Sequence, residues 1–79
     1  MAFYVKIIKT AEDEASATFT FESSSGATGE LRFTKQDAQT TLLRPMPGDE
    51  GEHNYVRAVA KLRKEWKTGS LPEMTVWAS

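Results

Sequence analysis

The sequence predicts an α+β domain of order ββββαβ: a four-stranded antiparallel meander, one helix packed on one face, and a C-terminal strand rejoining the sheet. Three patterns point to it. The segments "ATFTFE" and "ELRFTK" alternate apolar and polar residues with the period of two that half-buries a strand. Residues 55–66 instead place apolar side chains three and four apart, the spacing of an amphipathic helix. The connections "AEDEAS", "SSSGATG" and "QDAQ" are short and rich in turn formers, and consecutive strands joined this way form a meander.

Each element follows from its own residues. In "FYVKIIK", Phe3, Val5 and Ile7 fall on one side and Tyr4, Lys6 and Ile8 on the other. Ala17, Phe19 and Phe21 share a face of the second run, and Leu31 and Phe33 share a face of the third. Residues 35–43 admit a short helix capped by Thr34. Thr40 and Thr41 are poor helix formers, however, and Pro45 stops any continuation, so "TTLLRP" is assigned as the fourth strand.

The stretch "LRPMPGDEGEHNY" then ends that strand and starts the helix. Pro45 and Pro47 hold Arg44 and Met46 extended, Gly48 permits a turn, and Asp49 with Glu52 has the spacing of a capping box. From about Gly51 to Lys67, Tyr55, Val59, Leu62 and Trp66 lie within roughly a 60° arc at ~100° per residue, with Ala58 beside them. Gly69 offers a cap and Pro72 prevents resumption. "PEMTVWAS" closes as a strand, with Met74 and Val76 expected inward and Thr75 and Trp77 outward.

At 79 residues the chain is expected to form one domain, residues 1–79, burying roughly 60% of its unfolded surface. Its expected core is Phe3, Val5, Ile7, Phe19, Phe21, Leu31, Phe33, Met74 and Val76 under the helix stripe. The isolated helix would be marginal in water, so the core closes only when it docks. The chain has no cysteine, which removes disulfide frameworks, thiolate zinc sites and cysteine nucleophiles. A reducing cytoplasm is therefore the expected compartment. Lysines at 6 and 9 interrupt the opening apolar run within one strand's length, unlike a signal peptide, and no stretch approaches a membrane span.

Candidate sites are few. His53 sits among Asp49, Glu50 and Glu52, but a single imidazole with exposed carboxylates is a weak ligand set, and capping accounts for the acids. "SSSGATG" lacks the Gly-Lys-Ser/Thr ending of a phosphate loop and precedes a strand. No nucleophile–base set accompanies His53, so neither enzyme activity, metal nor cofactor is expected.

Charge is more informative. Net charge is −1, against a dedicated nucleic-acid binder, yet residues 1–54 carry five basic and nine acidic side chains and residues 55–79 five and two. Arg57, Lys61 and Lys64 form a basic stripe opposite the apolar face of the helix. The bland reading is a solvated face partly neutralised by Glu12, Asp13 and Glu14 across the fold.

The functional reading is a docking surface for an acidic partner. Tyr4 and Trp77 would strengthen a nucleic-acid version if both lay on the sheet face away from the helix; otherwise they pack on each other or at the sheet edge. The expectation is a small protein-binding or adaptor module, monomeric or homodimeric, with a nucleic-acid-binding domain as the alternative and a small enzyme or metal protein as a less favoured third.

Overall fold

The computed structural model describes residues 4–78. The elements are β1 (Tyr4–Glu12), β2 (Ser16–Ser23), β3 (Thr28–Thr34), β4 (Gln39–Arg44), α1 (His53–Lys67) and β5 (Met74–Ala78). All strands pair antiparallel in one five-stranded sheet of order β4-β3-β2-β1-β5. The first four strands are a meander. The chain then leaves one edge, crosses the sheet as α1, and adds β5 at the far edge.

The alternation read from the sequence sets the faces of β2 and β3. Ala17, Phe19, Phe21, Leu31 and Phe33 are buried beneath the helix together with Val5 and Ile7. From above, α1 contributes Ala58, Val59 and Leu62, with Tyr55 and Trp66 packed at either end of the stripe. The Trp66 ring meets Phe33 edge-on at 6.0 Å between centroids, and Tyr55 lies 6.0 Å from Phe21. The Tyr55 hydroxyl also shares a 2.7 Å hydrogen bond with Thr40 Oγ1, tying the helix to β4. Phe3, expected in the core, lies outside the described residues.

Several expectations need correction. Met74 and Val76 are 58% and 41% exposed. The β1–β5 register pairs them with Ile8 and Lys6, whereas Thr75 and Trp77 pair with the buried Ile7 and Val5. β5 therefore turns its other face to the core, because a one-residue difference in register exchanges every side chain between faces. Two connector residues absent from the expected core, Met46 and Leu71, are buried in it at 4% and 6% exposure.

Gly29 belongs to β3, not to the preceding connection. A Cβ there would lie 2.5 Å from Phe21 Cζ and 2.9 Å from the Arg44 carbonyl, so only glycine lets the Phe21 ring and the end of β4 close over β3.

The helix also starts later and differently. Its N-cap is Glu52, left-handed at φ 56° and without a side-chain cap bond. Asp49 performs the capping from outside: its carboxylate accepts the Asn54 N–H at 3.1 Å and the Tyr55 N–H at 3.3 Å. Two of the helix's open donors are satisfied in this way, with the negative charge at the positive end of the dipole. The capping box with Glu52 does not form.

Candidate interaction surface

The basic residues of α1 separate by the side of the helix they occupy. Arg63 leans toward the β3–β4 turn, where its Nε donates to the Ala38 carbonyl at 3.0 Å. Arg57, Lys61 and Lys64 lie on the β5 side. Arg57 and Lys61 are half-buried, not at the outward pole expected of them. The Arg57 guanidinium sits 5.0 Å from the centroid of the Trp77 ring, within reach of a cation–π contact. Lys61 pairs with Glu65 at 3.1 Å, and Glu65 also accepts from Thr75 Oγ1 at 3.5 Å. Four cationic or anionic side chains, Arg57, Lys61, Lys64 and Glu65, thus follow β5, with a net positive charge. An open groove of about 410 Å³ runs between helix and strand, lined by Ala60, Lys61, Lys64, Val76, Trp77 and Ala78.

The acidic turn does not neutralise this row. Glu12 lies 2.6 Å from Lys9 Nζ and 2.8 Å from Lys35 Nζ, and those two bonds hold its carboxyl down at about 2. Asp13 is lowered by accepting the Ser16 and Ala15 N–H groups, each at 2.8 Å. The expected compensation across the fold is replaced by a local network at the end of β1.

Tyr4 and Trp77 come to opposite faces. Tyr4 pairs with Ala78 on the open face and is 40% exposed, whereas Trp77 pairs with Val5 and packs against the core under Arg57. They do not form one stacking platform. On the open face Tyr4 instead shares the β1–β5 surface with Ile8, Met74 and Val76, and Lys6 lies among them as the direct partner of Val76.

His53 is exposed, and among the described residues no group of three or more His, Asp or Glu side chains is placed to hold a metal ion. Nor is any described helix long and apolar enough to cross a membrane. A second hollow, about 500 Å³, lies where β1 runs on past the start of β5; Lys9, Glu12, Glu73 and Met74 are among its walls.

Sequence reasoning missed the most consequential feature, the outer edge of β5. Within Met74–Ala78 there is no charge, no proline and no break in register against β1, and among the described residues no strand pairs on its other side. Its composition was visible, but its edge position depends on strand order, which no local pattern states. No protein-family model, no curated protein and no solved structure matches this chain.

Proposed function

We propose that this domain is a protein-docking module whose contact surface is the side formed by α1 and β5. The observation that carries it is the placement of Arg57, Lys61 and Lys64 alongside an uncharged, outward-facing strand. A surface of this kind offers charge for steering and orientation and backbone groups for affinity. Arg57 on the Trp77 ring is a cation with a half-buried aromatic support, the residue types enriched where interfaces concentrate their energy. The nucleic-acid alternative draws less support, because Tyr4 and Trp77 lie on different faces and Trp77 already stacks under Arg57.

The test is affinity purification from the source cell with the wild-type domain and a charge-reversed one carrying Arg57→Glu, Lys61→Glu and Lys64→Glu. Unchanged melting behaviour serves as the folding control. The expected result is an acidic protein retained by the wild type and released by the variant. With that protein purified, the affinity should fall by at least about tenfold, about 1.4 kcal/mol. Identical captures from the two forms, or a mobility shift with RNA or DNA that fades steeply with salt, would overturn it.

A further inference from the structure

Resting on that docking reading, we infer that the partner binds as an extended segment added to the outer edge of β5, with acidic side chains alternating with small apolar ones. Three observations converge.

The first is which backbone groups face outward. The Lys9 N–H donates to the Glu73 carbonyl at 2.7 Å, so residues 9 and 73 form a hydrogen-bonded position of the antiparallel ladder. Bonded and non-bonded pairs alternate along such a ladder. Ile7–Thr75 and Val5–Trp77 are therefore bonded pairs, and Met74, Val76 and Ala78 direct their N–H and C=O groups away from β1. An added strand finds an unbroken row of donors and acceptors at those three residues.

The second is the environment on the two faces of that edge. A strand laid against β5 sends alternate side chains to opposite sides. Those on the helix side enter the groove beside Lys61 and Lys64, where carboxylates are favoured. Those on the open side come next to Met74 and Val76, which are 58% and 41% exposed, where valine or threonine packs beside them. Glu65 lowers the charge of the helix side through its bond with Lys61, and Lys64 stands beside that pair in the groove wall.

The third observation decides between occupants. A second copy of the chain pairing β5 against β5 would be related by a twofold axis normal to the sheet. Both helices would then lie on the same face, with the Lys61–Lys64 row of each turned toward that of the other. Like charges placed together oppose this arrangement, whereas an acidic segment relieves it.

The experiment is amide hydrogen exchange of the full-length, isotope-labelled domain by NMR. The probe is a capped peptide of about eight residues alternating glutamate with valine or threonine. In the free protein the amides of Met74 and Val76 should exchange rapidly and those of Thr75 and Trp77 slowly. Millimolar peptide should protect Met74 and Val76, and the same peptide with lysine for glutamate should bind at least about tenfold more weakly. Val76→Pro removes one outward donor and no bond to β1, and should abolish the protection; Val76→Lys, which keeps the N–H, serves if the proline variant does not fold and should weaken binding.

Protection of Met74 and Val76 without peptide, accompanied by a dimer in sedimentation, overturns the proposal in favour of a second copy. Failure of the glutamate peptide to protect β5 overturns it as well. If shifts then appear only at Arg57, Lys61 and Lys64, strand addition falls while docking at the helix stands; if none appear and the charge-reversed domain captures the same proteins, both fall.

Discussion

The two edges of the sheet, β4 and β5, are built from the same kind of short strand and finished in opposite ways. A bulge interrupts β4: Glu30 pairs with Arg44 and Leu31 with Leu42, leaving Leu43 without a partner on β3. Arg44 then reaches back over β3, its Nε donating to Glu30 Oε1 and its Nη1 to the Thr28 carbonyl, both at 3.0 Å. Pro45 and Pro47 follow, and Met46 folds into the core. Bulges, charges and prolines are the devices that keep a strand edge from pairing with other chains. None occurs within β5, which has only its five-residue length and the cations beside it. The difference teaches that one edge is closed by the chain's own structure, while the other carries no such device within the strand and has cations beside it.

The strongest way to break the comparison is at Gly29, where β3, β4 and the following segment close over one another. Gly29→Ala sets a methyl against the Phe21 ring and the Arg44 backbone. Because overpacking in a filled site costs about 1–3 kcal/mol, the urea midpoint should fall by that amount at unchanged slope. The closed edge should loosen with it, seen as faster exchange at Gln39 and Thr41, the β4 amides that face β3. A stability equal to wild type would mean that β4 is not held by this close approach.

A smaller loss is expected from Tyr55→Phe. It removes the hydroxyl that meets Thr40 Oγ1 at 2.7 Å and leaves Thr40, half-buried, without that partner. The net worth of such a bond is about 0.5–1.5 kcal/mol. Arg44→Ala, at an exposed ion pair, should cost still less, about 0.2–1 kcal/mol. At β5, by contrast, Val76→Lys changes an exposed residue and should leave stability within about 0.5 kcal/mol while weakening peptide binding. Stability therefore responds to the closed edge and binding to the open one; a reversed pattern would remove the distinction.

Long periodic segments were legible in the sequence. β2 and β3 each repeat large apolar residues at every second position, and α1 holds its stripe over several turns, so their buried faces follow from pattern alone. β5 was not legible in this way. Met74 and Val76 compete with Trp77 for the inward face of a five-residue strand, and only pairing with Val5 and Ile7 resolves it. Met46 and Leu71 were hidden by neighbouring prolines that mark connectors, although those connectors cover the core. The cations Arg57, Lys61 and Lys64 were visible as charge. Their meaning was not, because it comes from the strand they follow, and that strand reaches the edge only through the crossing of α1 from one side of the sheet to the other.

The smallest effect concerns a third stretch of edge, where β1 outruns β5. The two strands pair only from Tyr4 to Ile8, so residues beyond Lys9 have no β5 residue beside them. Charge closes this stretch: Lys9 Nζ bonds Glu12 at 2.6 Å and the Leu71 carbonyl at 3.3 Å, and Lys35 completes the network at 2.8 Å from Glu12. Hydrogen bonds from Lys35 and Lys9 lower the Glu12 carboxyl from its ordinary 4.5 to about 2.

A carboxyl whose folded value lies below its unfolded one stabilises the fold above the unfolded value, and that contribution disappears as pH falls from 4.5 toward 2. The side-chain carboxyl ¹³C shift of Glu12 should therefore titrate with a midpoint near 2 at low salt. Because the group is exposed, added salt should screen its partners and move the midpoint up. Glu12→Gln should flatten the acid limb of the stability curve in the same window and quicken exchange at the end of β1, while the amides of β5 remain as they were. A midpoint near 4.5 would mean that Lys9 and Lys35 do not close this stretch by charge, leaving the end of β1 as open an edge as β5.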